Sequence, residues 1–344
     1  MDIVIAGALP HTSIAREMQK FLEKSAPHLL ERLRTHHAQS QTYDLDHLSY
    51  TPLDAYQLEA AGLPLAASSL SALHLPSELQ QRLVPERGIY LLQLGHIALG
   101  QHSASLHTAD ELAITPAQSL ALFENAQTIF AHSPYKLLAY HPDYFLVDLG
   151  PEFNAELPSP NLLATGFLND WWPQDDATRP LRALLGELQM SWFNHPVNQE
   201  REAQGKRTIN TAWIFGGIKG TAELMAHLPI TSTENHHAEQ AGRSAKMVRT
   251  DKGNYLLISD LLYSHRQQDW GIWLQQLSLL DQRLPEIVAR ASTATHTNNH
   301  GEDADSHASP YRLVLCGLDR QVTLSPQSWV KRTLQSKNQW KSWW

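Results

Sequence analysis

Short apolar runs of strand type alternate with helix-periodic segments along the whole chain, which restricts it to folds in which sheets are covered by helices. The first run, residues 3–6, is followed by Ile14, Met18, Phe21 and Leu22 at helical spacing and by a second short helix after Pro27. Further runs lie at 89–94, 144–148, 211–215, 255–259 and 312–315. An alternation of this kind builds a largely parallel sheet, in one large α/β domain or in two lobes.

Several helices have readable ends. Thr115-Pro116-Ala117-Gln118 offers an N-cap hydroxyl, a proline at the first helical position and a glutamine placed to close a capping box, with Leu120, Phe123, Ala126 and Phe130 behind it. Leu181, Leu184, Leu185, Leu188 and Trp192 recur at three- and four-residue steps until Pro196 forces a stop. Trp273, Leu277, Leu280, Leu284 and Ile287 repeat the pattern, and Ser325-Pro326 opens a last helix. Residues 292–309 contain no large apolar side chain and read as a poorly ordered insertion, because nothing there offsets the entropy of ordering. Residues 38–86 are polar or weakly periodic, and no elements are assigned to them.

A formal net charge of -8 without a Lys/Arg cluster argues against nucleic acid and anionic membranes as partners. The single cysteine, Cys316, rules out a disulfide within the chain and a multi-thiolate metal site. The N-terminus carries Asp2 rather than a basic region and nowhere do about 18 apolar residues run together. The expected compartment is the cytoplasm, with no membrane association. Trp329, Trp340, Trp343 and Trp344 load the C-terminus with aromatics that would dock on the body or on a second subunit, leaving a homo-oligomer open.

Chemistry-bearing residues gather between Glu187 and Gly220. His195 and Asn198 follow a helix end, Arg201 and Arg207 flank the Gly205 turn, and a strand bearing Asn210 and Trp213 empties into Gly216-Gly217. A strand, a glycine pair and a helix N-terminus present backbone N–H groups to an anion, and nearby guanidinium groups add charge-assisted hydrogen bonds. The plainer alternative is a tight turn and a helix stop. Asp260 and His265, after the 255–259 strand, could ligate a divalent metal with help from other acids, or serve simply as a cap and an exposed helical residue.

The order Gln189, Met190, His195, Pro196, Val197, Asn198, Arg201, Gly205, Asn210, Trp213, Gly216 and Gly217 resembles the signature of the proteobacterial RpfE-type regulatory proteins, a phosphoglycerate-mutase-like family. Phe215 and Ile218 depart from it. That family is in turn distantly similar to the cofactor-independent phosphoglycerate mutases of the alkaline-phosphatase superfamily. The resemblance implies an alkaline-phosphatase-like α/β fold over residues 1–344 as one domain, with a mostly parallel sheet covered by helices on both faces. Asp260 to His265 followed by Leu280-Asp281 is similar to a mutase segment with an Asp, a His and an Ile-Asp pair.

Active members carry an acid at the end of the first strand and an Asp-His pair after the last, where this chain has Ala6-Gly7 and Gly317-Leu318-Asp319-Arg320. Phosphoryl transfer there depends on two metals beside a nucleophilic hydroxyl. The resemblance with these departures implies a non-catalytic regulatory protein without a cofactor, retaining a cleft for a small phosphorylated or carboxylated metabolite lined by His195, Asn198, Arg201, Arg207, Asn210, Trp213, Gly216 and Gly217. The enzymatic alternative is a mutase or phosphohydrolase holding Mn or Zn through Asp260 and His265. A third alternative is a scaffold that uses the tryptophan-rich C-terminus.

Overall fold

The computed structural model describes residues 1–45, 47–80, 87–99, 104–165, 175–219, 245–250, 253–296, 311–327 and 339–344. The chain is mixed α/β, and its contacts gather in two compact units, Met1–Leu48 with Ser232–Trp344 and Ser49–Thr231. Each unit has its own sheet and its own apolar core. Among the described residues no helix is long and apolar enough to cross a membrane.

In the first unit six strands lie in the order β2 (His37–Thr42), β11 (Arg320–Ser325), β10 (Arg312–Cys316), β1 (Asp2–Ala6), β9 (Gly253–Ile258) and β8 (Ala245–Thr250). β1 is buried along its whole length, as expected of a central strand flanked by two parallel neighbours, β9 and β10. The helices Thr12–Ser25, Pro27–Thr35 and Trp270–His296 supply Leu22, Leu29, Leu33, Trp273, Leu277, Leu280 and Leu284 to the core against Ile3, Ile5, Leu313 and Leu315. Each such fully buried side chain contributes roughly 1.5–3 kcal/mol.

In the second unit β3 (Gly88–Leu99) pairs antiparallel with β4 (Ala104–Thr108), β6 (Phe145–Asp148) and β7 (Thr211–Lys219), and β6 pairs with β5 (Lys136–Tyr140). The helix Pro116–Phe130 begins with the expected capping box, Thr115 Oγ1 accepting from the Gln118 N–H and the Gln118 side chain from the Thr115 N–H. The helix Arg179–Phe193 turns Leu181, Leu184, Leu188 and Trp192 inward.

The mostly parallel sheet expected from sequence is corrected here. Among the described residues the pairings of β1 with β9 and β10 are parallel, and every other pairing is antiparallel. The reason is connection length, since a parallel pair needs a crossover of about a dozen residues or more. Only Gly317-Leu318-Asp319 separates β10 from β11, and only residues 251–252 separate β8 from β9. Two further expectations change. The helix that begins at Trp270 continues through the first part of the supposed insertion to His296, and residues 297–309 lie outside the described residues. The stretch 38–86, left without elements, contains β2 and the helices Pro52–Ala61, Leu70–His74 and Ser77–Gln80. The helix expected after Ser325-Pro326 lies outside the described residues.

Candidate functional site

The 187–220 segment in the second unit is held by its own polar groups. His195 is the N-cap of the helix Pro196–Ala203, its Nδ1 accepting from the Val197 N–H. Burial lowers the pKa of its imidazole. Asn198 is buried, donates from Nδ2 to the carbonyls of Trp192 and Ile209, and accepts the Ile209 N–H at Oδ1. One amide thereby joins the end of one helix to the entry of β7.

Arg201 is only 1% exposed, and its guanidinium donates to the carbonyls of Arg207 and Leu112 and to Gln118 Oε1, at 2.7, 2.7 and 2.9 Å. Burial without a carboxylate among these acceptors pulls its pKa down. Asn210 brackets Ile97, accepting its N–H and donating to its carbonyl, while Trp213 Nε1 donates to the Pro158 carbonyl. Arg207 alone of the two arginines is exposed.

Gly216 and Gly217 do not open a helix; they lie within β7, at φ +99° and +114°. A Cβ on Gly216 would meet Ser71 at 2.2 Å, and one on Gly217 would meet the Tyr90 ring at 2.8 Å. The register slips between Ile89 and Tyr90, so Gly217 is the additional residue of a bulge. Glycine is required here for close approach and for a positive φ, and the strand-to-helix anion cradle expected from sequence is not formed by these residues.

The second group of interest lies in the first unit at the carboxyl ends of β1, β9 and β10. Gly7 turns the chain at φ +71°, and the loop that follows is dry, with Ala8 and Leu9 buried. Three of its carbonyls are taken by side chains: Trp273 Nε1 donates to Gly7, His265 Nε2 to Leu9 and the Arg320 guanidinium to Pro10, at 2.8, 2.8 and 2.6 Å. Arg320 also donates to Asp319 Oδ1 at 2.8 Å and to the Trp343 carbonyl.

His265 must carry its proton on Nε2 to make its bond. Burial, with Arg266 and Arg320 adding to it, pushes its pKa down to about 4, against the opposing effects of the Leu9 carbonyl and Asp319. Asp260 faces Arg283 at 3.4 Å. Asp281, which the mutase resemblance made suggestive, accepts the N–H groups of His28 and Leu29, at 3.1 and 2.7 Å. It thus caps the Pro27–Thr35 helix, whose own N-cap, Ala26, has no side-chain acceptor.

This donor set does not fit a two-metal centre. At the sheet edge the charge beside Asp319 is a guanidinium, the Nε2 of the nearby imidazole is spent as a donor to Leu9, and Asp260 is engaged by Arg283. Among the described residues no three His, Cys, Asp or Glu side chains are grouped to hold a metal ion.

One cluster was not anticipated from sequence. His96 and His107 are cross-strand partners on β3 and β4 with ring centroids 5.8 Å apart. His96 Nδ1 donates to the Thr208 carbonyl at 2.8 Å, and His107 Nδ1 lies 2.7 Å from Glu111 Oε2. The i,i+4 spacing of His107 and Glu111 was the available signal, hidden by the number of other histidines. At the C-terminus Trp340 and Trp344 are buried in the first unit's core, so the tail packs on its own body.

No protein-family model matches the chain, and no curated protein matches it. Among solved structures it is similar to the PH0037 protein of Pyrococcus horikoshii, with 11% identity over 94% of this chain and 87% of that one at a TM-score of 0.33. It is also similar to the cofactor-independent phosphoglycerate mutase of Thermoplasma acidophilum DSM 1728, with 11% identity over 99% and 98% of the two chains at a TM-score of 0.29. Likeness at this level carries no weight for fold or activity.

Proposed function

We propose that this chain is a non-catalytic, phosphoglycerate-mutase-like regulatory protein of the alkaline-phosphatase type, related in character to the RpfE-type proteins. The observation that carries the proposal is the closed loop after β1. Where the resemblance calls for an acid on a metal, the carbonyls of Gly7, Leu9 and Pro10 are occupied by Trp273, His265 and Arg320. A phosphoryl transfer of the mutase kind needs carboxylates, two divalent cations and a reactive hydroxyl at that edge. The Arg320 guanidinium would repel the cations, and the Nε2 of His265, spent as a donor to the Leu9 carbonyl, offers them no lone pair.

The ligand part of the proposal narrows to Arg207, because the Arg201 guanidinium is occupied within the protein. A small phosphorylated or carboxylated metabolite would meet the exposed guanidinium of Arg207. Two measurements test the proposal. Incubation of the full chain with 3-phosphoglycerate and Mn²⁺ or Zn²⁺ is expected to give neither 2-phosphoglycerate nor inorganic phosphate; turnover that disappears in Asp260→Ala would restore the enzymatic reading. A thermal shift induced by 3-phosphoglycerate is expected to vanish in Arg207→Ala, and a shift retained there removes the assignment of Arg207.

A further inference from the structure

The buried tryptophans of the first unit's core are held in two ways. Trp273 belongs to the helix Trp270–His296 and donates from Nε1 to the Gly7 carbonyl at 2.8 Å. Trp340 and Trp344, at the C-terminal end, are 3% and 4% exposed, and the Nε1 of each is buried without an acceptor among the described residues. Their rings meet edge to face with centroids 6.0 Å apart. An N–H that has given up water and gained no acceptor weakens the docked state by the whole of its desolvation. Trp192 in the second unit carries the same deficit, but it is part of the helix Arg179–Phe193 and cannot leave its core alone.

Residues 339–344 are not tied in by a sheet. They form one 3₁₀ turn, Gln339–Ser342, closed by the Trp343 and Trp344 N–H groups on the Trp340 carbonyl at 3.3 and 3.0 Å, and they pair with no strand among the described residues. The Arg320 guanidinium donates to the Trp343 carbonyl at 3.3 Å, a longer bond than the 2.6 and 2.8 Å that it makes to Pro10 and Asp319. Lys341 and Ser342 are exposed.

We infer that residues 339–344 are a releasable strap, which undocks while the first unit stays folded and uncovers the apolar surface beside the helix Pro27–Thr35. The segment lies against that helix, whose Leu29, Leu30 and Leu33 belong to the same core as Trp340 and Trp344. Burial of the two indoles favours docking, and it is opposed by two stranded N–H groups and by the entropy of ordering a segment with few bonds of its own. Such a segment stands at the low end of the range of local opening energies, whereas β1 and the helix bearing Trp273 open only with the unit. Arg320 makes the release consequential. The guanidinium that holds the strap also holds the loop after β1, so a departing strap frees the Arg320 Nε at the carboxyl edge of β1 and β10. The docked strap therefore acts as an internal cover, and any partner for the surface beneath must compete with it.

The test uses the full chain and follows exchange of the indole N–H protons with solvent by ¹⁵N NMR, taking Trp273 as the reference within the same core. Trp340 and Trp344 are expected to exchange at least tenfold faster than Trp273. Rates within tenfold of it would show that all three rings leave the core only when the unit unfolds, and would overturn the inference. A Trp340→Ala/Trp344→Ala double variant, which detaches the strap permanently, is expected to keep Trp273 protected and to raise the fluorescence of 8-anilinonaphthalene-1-sulfonate several-fold over wild type. Loss of the Trp273 protection would make the segment an integral part of the core, and unchanged dye fluorescence would mean that no apolar surface lies beneath it; either result overturns the inference.

Discussion

Both units tie their most suggestive segment together with a buried arginine, but the two arginines are satisfied differently. Arg201 in the second unit is held by two backbone carbonyls and one amide oxygen, and none of these is charged. Arg320 in the first unit shares its guanidinium between backbone carbonyls and the carboxylate of Asp319. The first arrangement is structural: it fixes the turn between the Pro196–Ala203 helix and β7, and its cost is the burial of a cation among neutral acceptors. The second places a fixed positive charge at the carboxyl edge of β1 and β10, tied to the loop after β1. A run of polar residues can therefore look like a binding site in sequence when it braces a junction or closes a loop.

The comparison is broken most easily at Arg201. Arg201→Met should cost on the order of 4 kcal/mol in chemical denaturation, because it removes the side-chain donor from the Leu112 and Arg207 carbonyls in a buried site and leaves Gln118 Oε1 only the Thr115 N–H. A loss below about 1 kcal/mol would mean that the bonds are not maintained in solution.

Next in size is the pH dependence of His265. Its folded pKa of about 4 lies below the unfolded value of 6.5, so the unfolded chain binds the additional proton between them. Stability from this group is therefore complete above about pH 6.5, falls as pH falls, and has lost up to about 3 kcal/mol at pH 4. His265→Gln, which keeps a donor for Leu9, should flatten that part of the stability profile; an unchanged slope would show that other groups produce it.

Arg320→Met should cost less than Arg201→Met, about 2 kcal/mol, because Asp319 is partly exposed and water can take over its solvation. Equal losses at the two arginines would erase the distinction between the units. The smallest effect is expected at Asp281→Asn, about 1 kcal/mol, since the amide oxygen still accepts the His28 and Leu29 N–H groups but without charge. A loss well above that in chemical denaturation would argue for a role beyond capping.

The elements were more legible than the way they pair. The capped helix at Thr115, the Leu181–Trp192 stripe and the central strand follow from local chemistry, as capping and periodicity act within a few residues. Strand direction depends on which segments meet, and Gly317-Leu318-Asp319, which joins the antiparallel β10 and β11, was read only as the place of a missing Asp-His pair. β8, with Lys246 and Arg249 interrupting its apolar residues, and β2, polar along its length, lacked the apolar run that marked strands such as β1 and β10, and β4, β5 and β11 were likewise not read from sequence.

The sequence singled out Asn198, Arg201 and Gly216 as candidates, and long-range partners such as Leu112, Gln118 and Ser71, which hold two of them in place, could not be read from it. Arg320 looked like the loss of an Asp-His pair, and its bond to the Pro10 carbonyl spans the chain from one end to the other.

The claim that the edge after β1 is closed rests on the protonated Nε2 of His265, and ¹⁵N NMR of the imidazole observes that atom directly. With the signal assigned by its absence in His265→Gln, the account predicts a neutral ring protonated at Nε2, titrating near pH 4 and unmoved by Zn²⁺. An Nε2 that is bare at neutral pH and shifts when Zn²⁺ is added would contradict it.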